Sequence, residues 1–172
     1  MRPARFTCLL LASVALPALT LAQPSPASCK STASGDLRLH QLTSRIFGNT
    51  RTIRVLLPPG YDAPENASRR YPVLYMLDGQ NLFDACLSDV SHQEWAMDET
   101  VHRLTNDGKL PPLIVVGVDH AGRQRGHEYL PYKDYVGGPD MPEPVGKQFP
   151  DFLSKEPEKR HEIISFPEKL LS

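Results

Sequence analysis

The stretch Tyr71-Pro-Val-Leu-Tyr-Met-Leu-Asp-Gly-Gln-Asn-Leu-Phe83 decides the fold, because a short apolar run ends abruptly in a polar turn. The run over 73–77 is too short for an amphipathic surface helix, and Pro72 suits the first residue of a strand. The segment from Asp78 to Asn81 that follows has the composition of a turn. The sequence here predicts a buried parallel strand that carries a loop at its carboxyl end, where α/β proteins bind ligands.

Two apolar segments before this strand predict an antiparallel hairpin. Apolar residues recur over 37–47 and again over 52–57, as expected for two extended strands. The hairpin turn is expected at Asn49-Thr50. Folded structure is therefore expected to begin near Asp36, after a segment over 23–35 whose Ser, Pro and Ala content predicts flexibility.

The segments after the turn predict a helix and another strand. Residues 94–106 place apolar side chains on one helical face, and Gly108 follows the expected end of that helix. The β-branched run over 113–119 is typical of a parallel strand that is covered on both faces. A polar loop is expected over 123–134 and a short helix over 147–155. The fold class is therefore α/β, a partial sheet with an antiparallel leading hairpin, then parallel strands with flanking helices.

Polar and aromatic side chains near the ends of the two predicted parallel strands are the candidates for a substrate cleft. Asp78 and Asp119 each end a strand, and turn capping is the expected role of both. Arg125 and Glu128 are three residues apart, so they either form a surface ion pair or hold a polar substrate group. Trp95 either faces the cleft or packs between helix and sheet. The full set of cleft candidates is Asp78, Asn81, Trp95, His120, Arg125 and Glu128.

The first 22 residues have the pattern of a cleavable export signal. Arg2 and Arg5 precede an apolar run, and the segment ends in Leu21-Ala22 before Gln23. Cleavage there changes the formal charge from −1 to −3, which gives no electrostatic reason to bind nucleic acid. We therefore expect a secreted or periplasmic protein of one domain with no membrane segment after cleavage.

Two cysteines remain after cleavage, since Cys8 belongs to the signal. Cys29 and Cys86 lie in an exported chain, where disulfides persist, and we expect one disulfide between them. Two unpaired thiols are the alternative, because the sequence does not show whether the two sites are close enough to bridge. No clustered His or Cys pair suggests a metal site, and no cofactor is expected.

Several blocks in order resemble the secreted putative-esterase family of α/β-hydrolases, which includes esterase D-like and enterochelin-esterase-like enzymes. The resemblance covers about residues 36–156 and lies in the blocks Val55-Leu-Leu-Pro-Pro-Gly-Tyr61, Tyr71-Pro-Val-Leu-Tyr75, Asp78-Gly-Gln-Asn-Leu-Phe83, Pro112-Leu-Ile-Val-Val-Gly-Val-Asp119 and Glu128-Tyr-Leu-Pro131. It implies a serine hydrolase of small-molecule esters that uses a Ser-His-Asp or Ser-His-Glu triad. It also places Gly79 and Gln80 in the loop that stabilises the oxyanion.

The nucleophile of that family does not carry over to this sequence. Its G-x-S-x-G elbow is expected after the helix that begins near Phe149, yet no serine in residues 1–172 has glycine at both −2 and +2. No catalytic residue is therefore assigned, and a Ser-His-Asp set built from Ser88, Ser91, His92, His120, His127 and Asp119 lacks the strand-to-helix elbow.

These observations lead to one expected function and one alternative. We expect the amino-terminal half of a secreted serine esterase over 36–156, inactive as this chain, with a divergent charged tail over 157–172. The alternative is a non-catalytic exported ligand-binding or interaction protein that keeps the cleft loops. A partial sheet would also leave an unpaired edge through which chains self-associate.

Overall fold

The computed structural model describes residues 29–90, 92–133 and 143–156. Within them the sheet has strands β1 (Asp36–Thr43), β2 (Thr50–Leu57), β3 (Val73–Leu77) and β4 (Ile114–Val118), in the order β1-β2-β4-β3. β2 is antiparallel to both β1 and β4, whereas β3 runs parallel to β4. The α/β class and the leading antiparallel hairpin are confirmed.

Three expectations concern parts of the chain outside the described residues. They are the export signal over 1–22, the first six residues of the flexible segment over 23–35, and the charged tail over 157–172.

The described residues form helices α1 (Met97–Asn106), α2 (Arg125–Tyr129) and α3 (Phe149–Lys155). None of them has the length and apolar character needed to cross a membrane. The start expected for α1 at residue 94 is wrong, because the Trp95 and Met97 N–H groups donate to the Asn81 and Leu82 carbonyls, at 2.8 and 3.0 Å. The segment before α1 therefore binds the turn after β3 instead of extending the helix.

Two loop expectations also need correction. Residues 125–129, expected within a polar loop, form α2, whose Glu128 side chain is buried against β2. The first strand ends at Thr43 and does not reach residue 47, because the Ser44 N–H donates to the Asn49 carbonyl at 2.8 Å and closes the hairpin. In α2 the burial of Glu128 outweighs the polar character of the local sequence. In the hairpin the bond between Ser44 and Asn49 ends the strand before its apolar pattern ends.

Both faces of β4 are covered, as the apolar run predicts. On one face Val116 and Val118 pack with Phe149 and Phe152 of α3, and on the other face Val115 packs with a cluster that includes Val101 of α1. All five residues of β4 are buried. The branched side chains of β4 therefore contribute apolar burial on both faces of the sheet.

The burial expected for β3 is wrong. Leu74 and Leu77 remain 42% and 37% exposed, because β3 stands at the end of the strand order. Among the described residues, β4 is its strand partner. An apolar run reveals that a strand can be buried, but not how many neighbours cover it.

A strap over residues 29–34 is bound to the loop that precedes α1 and to the first turn of α1. The expected disulfide between Cys29 and Cys86 is confirmed, with Cα atoms 5.7 Å apart. The Ser31 hydroxyl donates to Asp84 at 2.6 Å, and the Ser34 N–H donates to Asp98 at 2.6 Å. This part of the segment expected to be flexible is therefore held by one covalent bond and by charge-assisted hydrogen bonds.

Two leucines on β1 test the assignment of the buried face. Leu42 is fully buried, whereas Leu39, on the same strand, is 55% exposed. We expect Leu42→Ala to lower the free energy of unfolding by about 2–5 kcal/mol through cavity formation. The matched variant Leu39→Ala should change it by less than about 0.5 kcal/mol. Urea unfolding followed by circular dichroism measures both, and equal losses would contradict the assignment.

Candidate functional site

The turn after β3 lies directly against β4. Its 3₁₀ turn spans Gly79–Asn81 and follows Asp78, whose φ of 55° is left-handed. A Cβ on Gly79 would lie 2.7 Å from Asp119 Oδ1 and 2.7 Å from the Gly117 carbonyl carbon. Only glycine fits such a close approach, so this residue type allows the turn to reach the carboxyl end of β4.

Two backbone donors of this turn have no acceptor among the described residues. The Asn81 N–H donates to the Asp78 carbonyl at 2.9 Å, and the Leu82 N–H donates to the Gly79 carbonyl at 3.2 Å. The N–H groups of Gly79 and Gln80 precede these bonds and make none within the described part of the chain. Orphan N–H groups at the start of a helical turn suit an anionic oxygen.

The Asp78 carboxylate is held by α2. Arg125 donates to it through Nε at 2.8 Å and Nη2 at 2.7 Å, and the Tyr129 hydroxyl lies 3.4 Å from Oδ1. Burial, with the nearby negative charge of Asp78, raises the pKa of Tyr129 to about 12. The capping role expected for Asp78 is wrong, because its side chain makes no cap hydrogen bond and instead pairs with Arg125.

A second bidentate ion pair lies at the end of β4. Arg54 of β2 donates to Asp119 through Nε at 2.7 Å and Nη2 at 2.8 Å, and the arginine is buried. Asp119 therefore compensates a buried charge. No signal in the sequence predicts this pair, because an arginine between Ile53 and Val55 is also the pattern of a strand whose polar face meets solvent.

Asn81 accepts hydrogen bonds from three residues of the segment that follows the turn. Its Oδ1 accepts from the Ser88 hydroxyl at 3.0 Å and from the Asp89 N–H at 3.1 Å, and its carbonyl accepts from the Trp95 N–H at 2.8 Å. The single proton of the Ser88 hydroxyl is shared between Asn81 Oδ1 and the Gln93 carbonyl, which lies 2.6 Å from Oγ, so this hydroxyl is occupied within the loop. Of the two roles considered for Trp95, packing between helix and sheet is wrong, because this residue is 49% exposed.

The structure places the two other cleft candidates in different surroundings. His120 lies at the carboxyl end of β4, with Nε2 2.7 Å from Asp89 Oδ2. Glu128 is 1% exposed and pairs with Arg51 at 2.8 Å and with Asn49 at 2.5 Å. Arg125 and Glu128 therefore do not pair with each other, because they extend to Asp78 and Arg51 respectively.

A cleft of about 350 Å³ opens beside the end of β4. Its lining includes Thr50, Thr52, Asp119, His120 and Gln124, whereas Gly79 and Gln80 lie outside that lining. The described part of the chain has no group of three or more His, Cys, Asp or Glu side chains arranged to hold a metal ion.

A protein-family comparison matches residues 44–156 to the family described as Putative esterase. No match appears among the curated proteins. Among solved structures, an IroE-like serine hydrolase from Shewanella oneidensis is 27% identical with a TM-score of 0.54, over 70% of this chain and 36% of that chain.

Two further solved structures are similar to parts of the chain. The BES protein from Bacillus cereus is 18% identical with a TM-score of 0.51, over 80% of this chain and 50% of that chain. The ferric enterobactin esterase from Salmonella typhimurium is 18% identical with a TM-score of 0.47, over 73% of this chain and 25% of that chain. The chain thus spans half or less of the length of each of these proteins.

The buried ion pair between Arg51 of β2 and Glu128 of α2 is expected to hold α2 against the sheet and so to stabilise the fold. Glu128→Gln should lower the free energy of unfolding by about 3–5 kcal/mol, because it leaves the buried Arg51 cation uncompensated. The control is Arg38→Gln, since Arg38 pairs with Asp36 on the surface and such pairs contribute about 0–1 kcal/mol. Urea unfolding of the two variants makes the comparison, and similar losses would refute a structural role for Glu128.

Proposed function

Because the chain belongs to the Putative esterase family, we propose that its described residues form the oxyanion-binding side of a serine esterase active site. The observation that carries this proposal is the pair of N–H groups on Gly79 and Gln80, which lie at the carboxyl end of β3 and have no acceptor among the residues that the structure describes. The substrates proposed are small-molecule esters, and the reaction is acyl transfer to water.

The geometry supports a specific contribution to that reaction. Attack of a serine on an ester carbonyl creates a negatively charged oxygen, which the N–H groups of Gly79 and Gln80 would stabilise by donating hydrogen bonds. Loss of one such donor reduces kcat by about 10²–10³ in serine hydrolases. The Asp78–Arg125 pair and the contact of Gly79 with β4 hold these donors in place before substrate arrives.

The second part of the proposal concerns the nucleophile. No serine in residues 1–172 has glycine at both −2 and +2, and Ser88 is occupied by hydrogen bonds within its own loop. We propose that this polypeptide of 172 residues does not hydrolyse esters alone. In an intact family member the serine, histidine and acid act against the oxyanion side described here.

The third part concerns the compartment. We propose an exported protein, secreted or periplasmic, whose first 22 residues are removed. The disulfide between Cys29 and Cys86 supports this proposal, because such bonds persist in oxidising compartments.

Hydrolysis of p-nitrophenyl acetate tests the proposed inactivity. The purified chain should release p-nitrophenol no faster than buffer, and a fluorophosphonate that labels active serines should leave it unmodified. Turnover that the fluorophosphonate abolishes would overturn the proposal, because it would show a working nucleophile within the 172 residues. A commercial serine esterase under the same conditions is the positive control.

The complete coding sequence distinguishes the esterase proposal from its alternative. A G-x-S-x-G block that follows the equivalent of α3 would support the oxyanion side of an esterase. A complete sequence without such a block would favour a non-catalytic exported binding protein. In that case ¹⁵N spectra of the chain with methylphosphonate added would show whether the Gly79 and Gln80 amides still bind a tetrahedral anion.

A further inference from the structure

Three loops meet at the side chain of Asp89. Its Oδ2 lies 2.7 Å from His120 Nε2, beyond the end of β4. The same oxygen accepts from Gln80 Nε2 at 3.5 Å, in the turn after β3. The Asp89 N–H donates to Asn81 Oδ1 at 3.1 Å. One carboxylate therefore joins the loop before α1 to both turns of the candidate site.

The hydrogen bonds of His120 assign its tautomer. Nδ1 accepts the Gly122 N–H at 2.8 Å, so this nitrogen carries no proton. The ring proton is therefore on Nε2, which donates it to Asp89. Both ring nitrogens of His120 therefore make hydrogen bonds within the protein. Its arrangement is that of a side chain that holds other groups in place.

Gln80 is held at both ends of its side-chain amide. Its Oε1 accepts the His120 backbone N–H at 3.3 Å, while its Nε2 donates to Asp89. The backbone N–H of the same residue has no acceptor among the described residues. Restraint of the Gln80 side chain also restrains the peptide plane that carries this N–H, because both are attached to one Cα.

We propose that Asp89 and His120 are positioning residues that hold the backbone N–H of Gln80 in its orientation toward the reacting oxygen. The role of the Gln80 N–H in catalysis rests on the proposed esterase function. The restraint of this N–H by Asp89 and His120 does not depend on that function. Neither residue touches the substrate in this scheme. Each acts through the Gln80 side chain, Asp89 as the acceptor and His120 through its backbone donor and its ring.

The electrostatics agree with the geometry. The hydrogen bond from His120 contributes most to lowering the pKa of Asp89 below its ordinary value of 3.8, and the bond from Gln80 adds to it. A carboxyl group whose pKa is lowered on folding contributes stability above its ordinary pKa and loses that contribution as pH falls through the folded value. At neutral pH Asp89 is therefore ionised and able to accept from both partners.

The ¹⁵N relaxation order parameter of the Gln80 amide tests the proposal directly. In the wild-type chain it should be about 0.85, the value of a rigid backbone, and in Asp89→Ala it should fall to about 0.6 or below. Asp89→Asn should stay near the wild-type value, because its amide oxygen still accepts from His120. The control Asp62→Ala removes a carboxylate that pairs with Arg38 on the surface and should leave the Gln80 value unchanged.

A second variant, His120→Ala, and a second measurement, the ring ¹⁵N shifts, also test the proposal. His120→Ala removes the ring and should also lower the Gln80 order parameter, while the amides of β4 keep their wild-type values. The ring ¹⁵N shifts of His120 in the wild-type chain should show a proton on Nε2 and none on Nδ1. A proton on Nδ1, or an unchanged Gln80 order parameter in both folded variants, would overturn the proposal. None of these measurements needs turnover, so failure of the esterase proposal would be seen separately.

Discussion

The close approach of Gly79 to Gly117 is the constraint on which the rest of the site depends. A Cβ on Gly79 would lie 2.7 Å from the Gly117 carbonyl carbon, and a Cβ on Gly117 would lie 3.2 Å from Gly79 Cα. Because both residues are glycines and carry no Cβ, the turn after β3 packs directly against β4. The orphan N–H groups then lie at the same sheet edge as Asp119 and His120, where one set of side chains can hold them.

Arginine–carboxylate pairs make this edge rigid. Arg54 is paired with Asp119 at the end of β4, and Arg125 with Asp78 at the end of β3. Each contact is bidentate, so it fixes an orientation as well as a distance. Donors that are held in place before a charge develops need no reorganisation when it appears, which is the advantage of such a site in electrostatic catalysis.

The sequence predicts those features that depend on local pattern. Burial of β4 follows from its continuous β-branched run, whereas the assignment of Gly79 and Gln80 to an oxyanion loop comes from the family resemblance and stays a prediction. The sequence does not predict the contacts of Asp89 or the pair between Arg51 and Glu128, because their partners are distant in the chain and only the folded topology brings them together. The exposure of β3 was missed for a similar reason, since its apolar run does not reveal which neighbours cover it.

The buried pair between Arg51 and Glu128 has an evolutionary consequence. Each residue alone would be an uncompensated charge in the interior, so a single substitution at either position passes through a destabilised intermediate. Related sequences are therefore expected to keep both residues or to replace both with apolar ones. Arg38 and Asp36, which are paired at the surface, are expected to drift independently of each other.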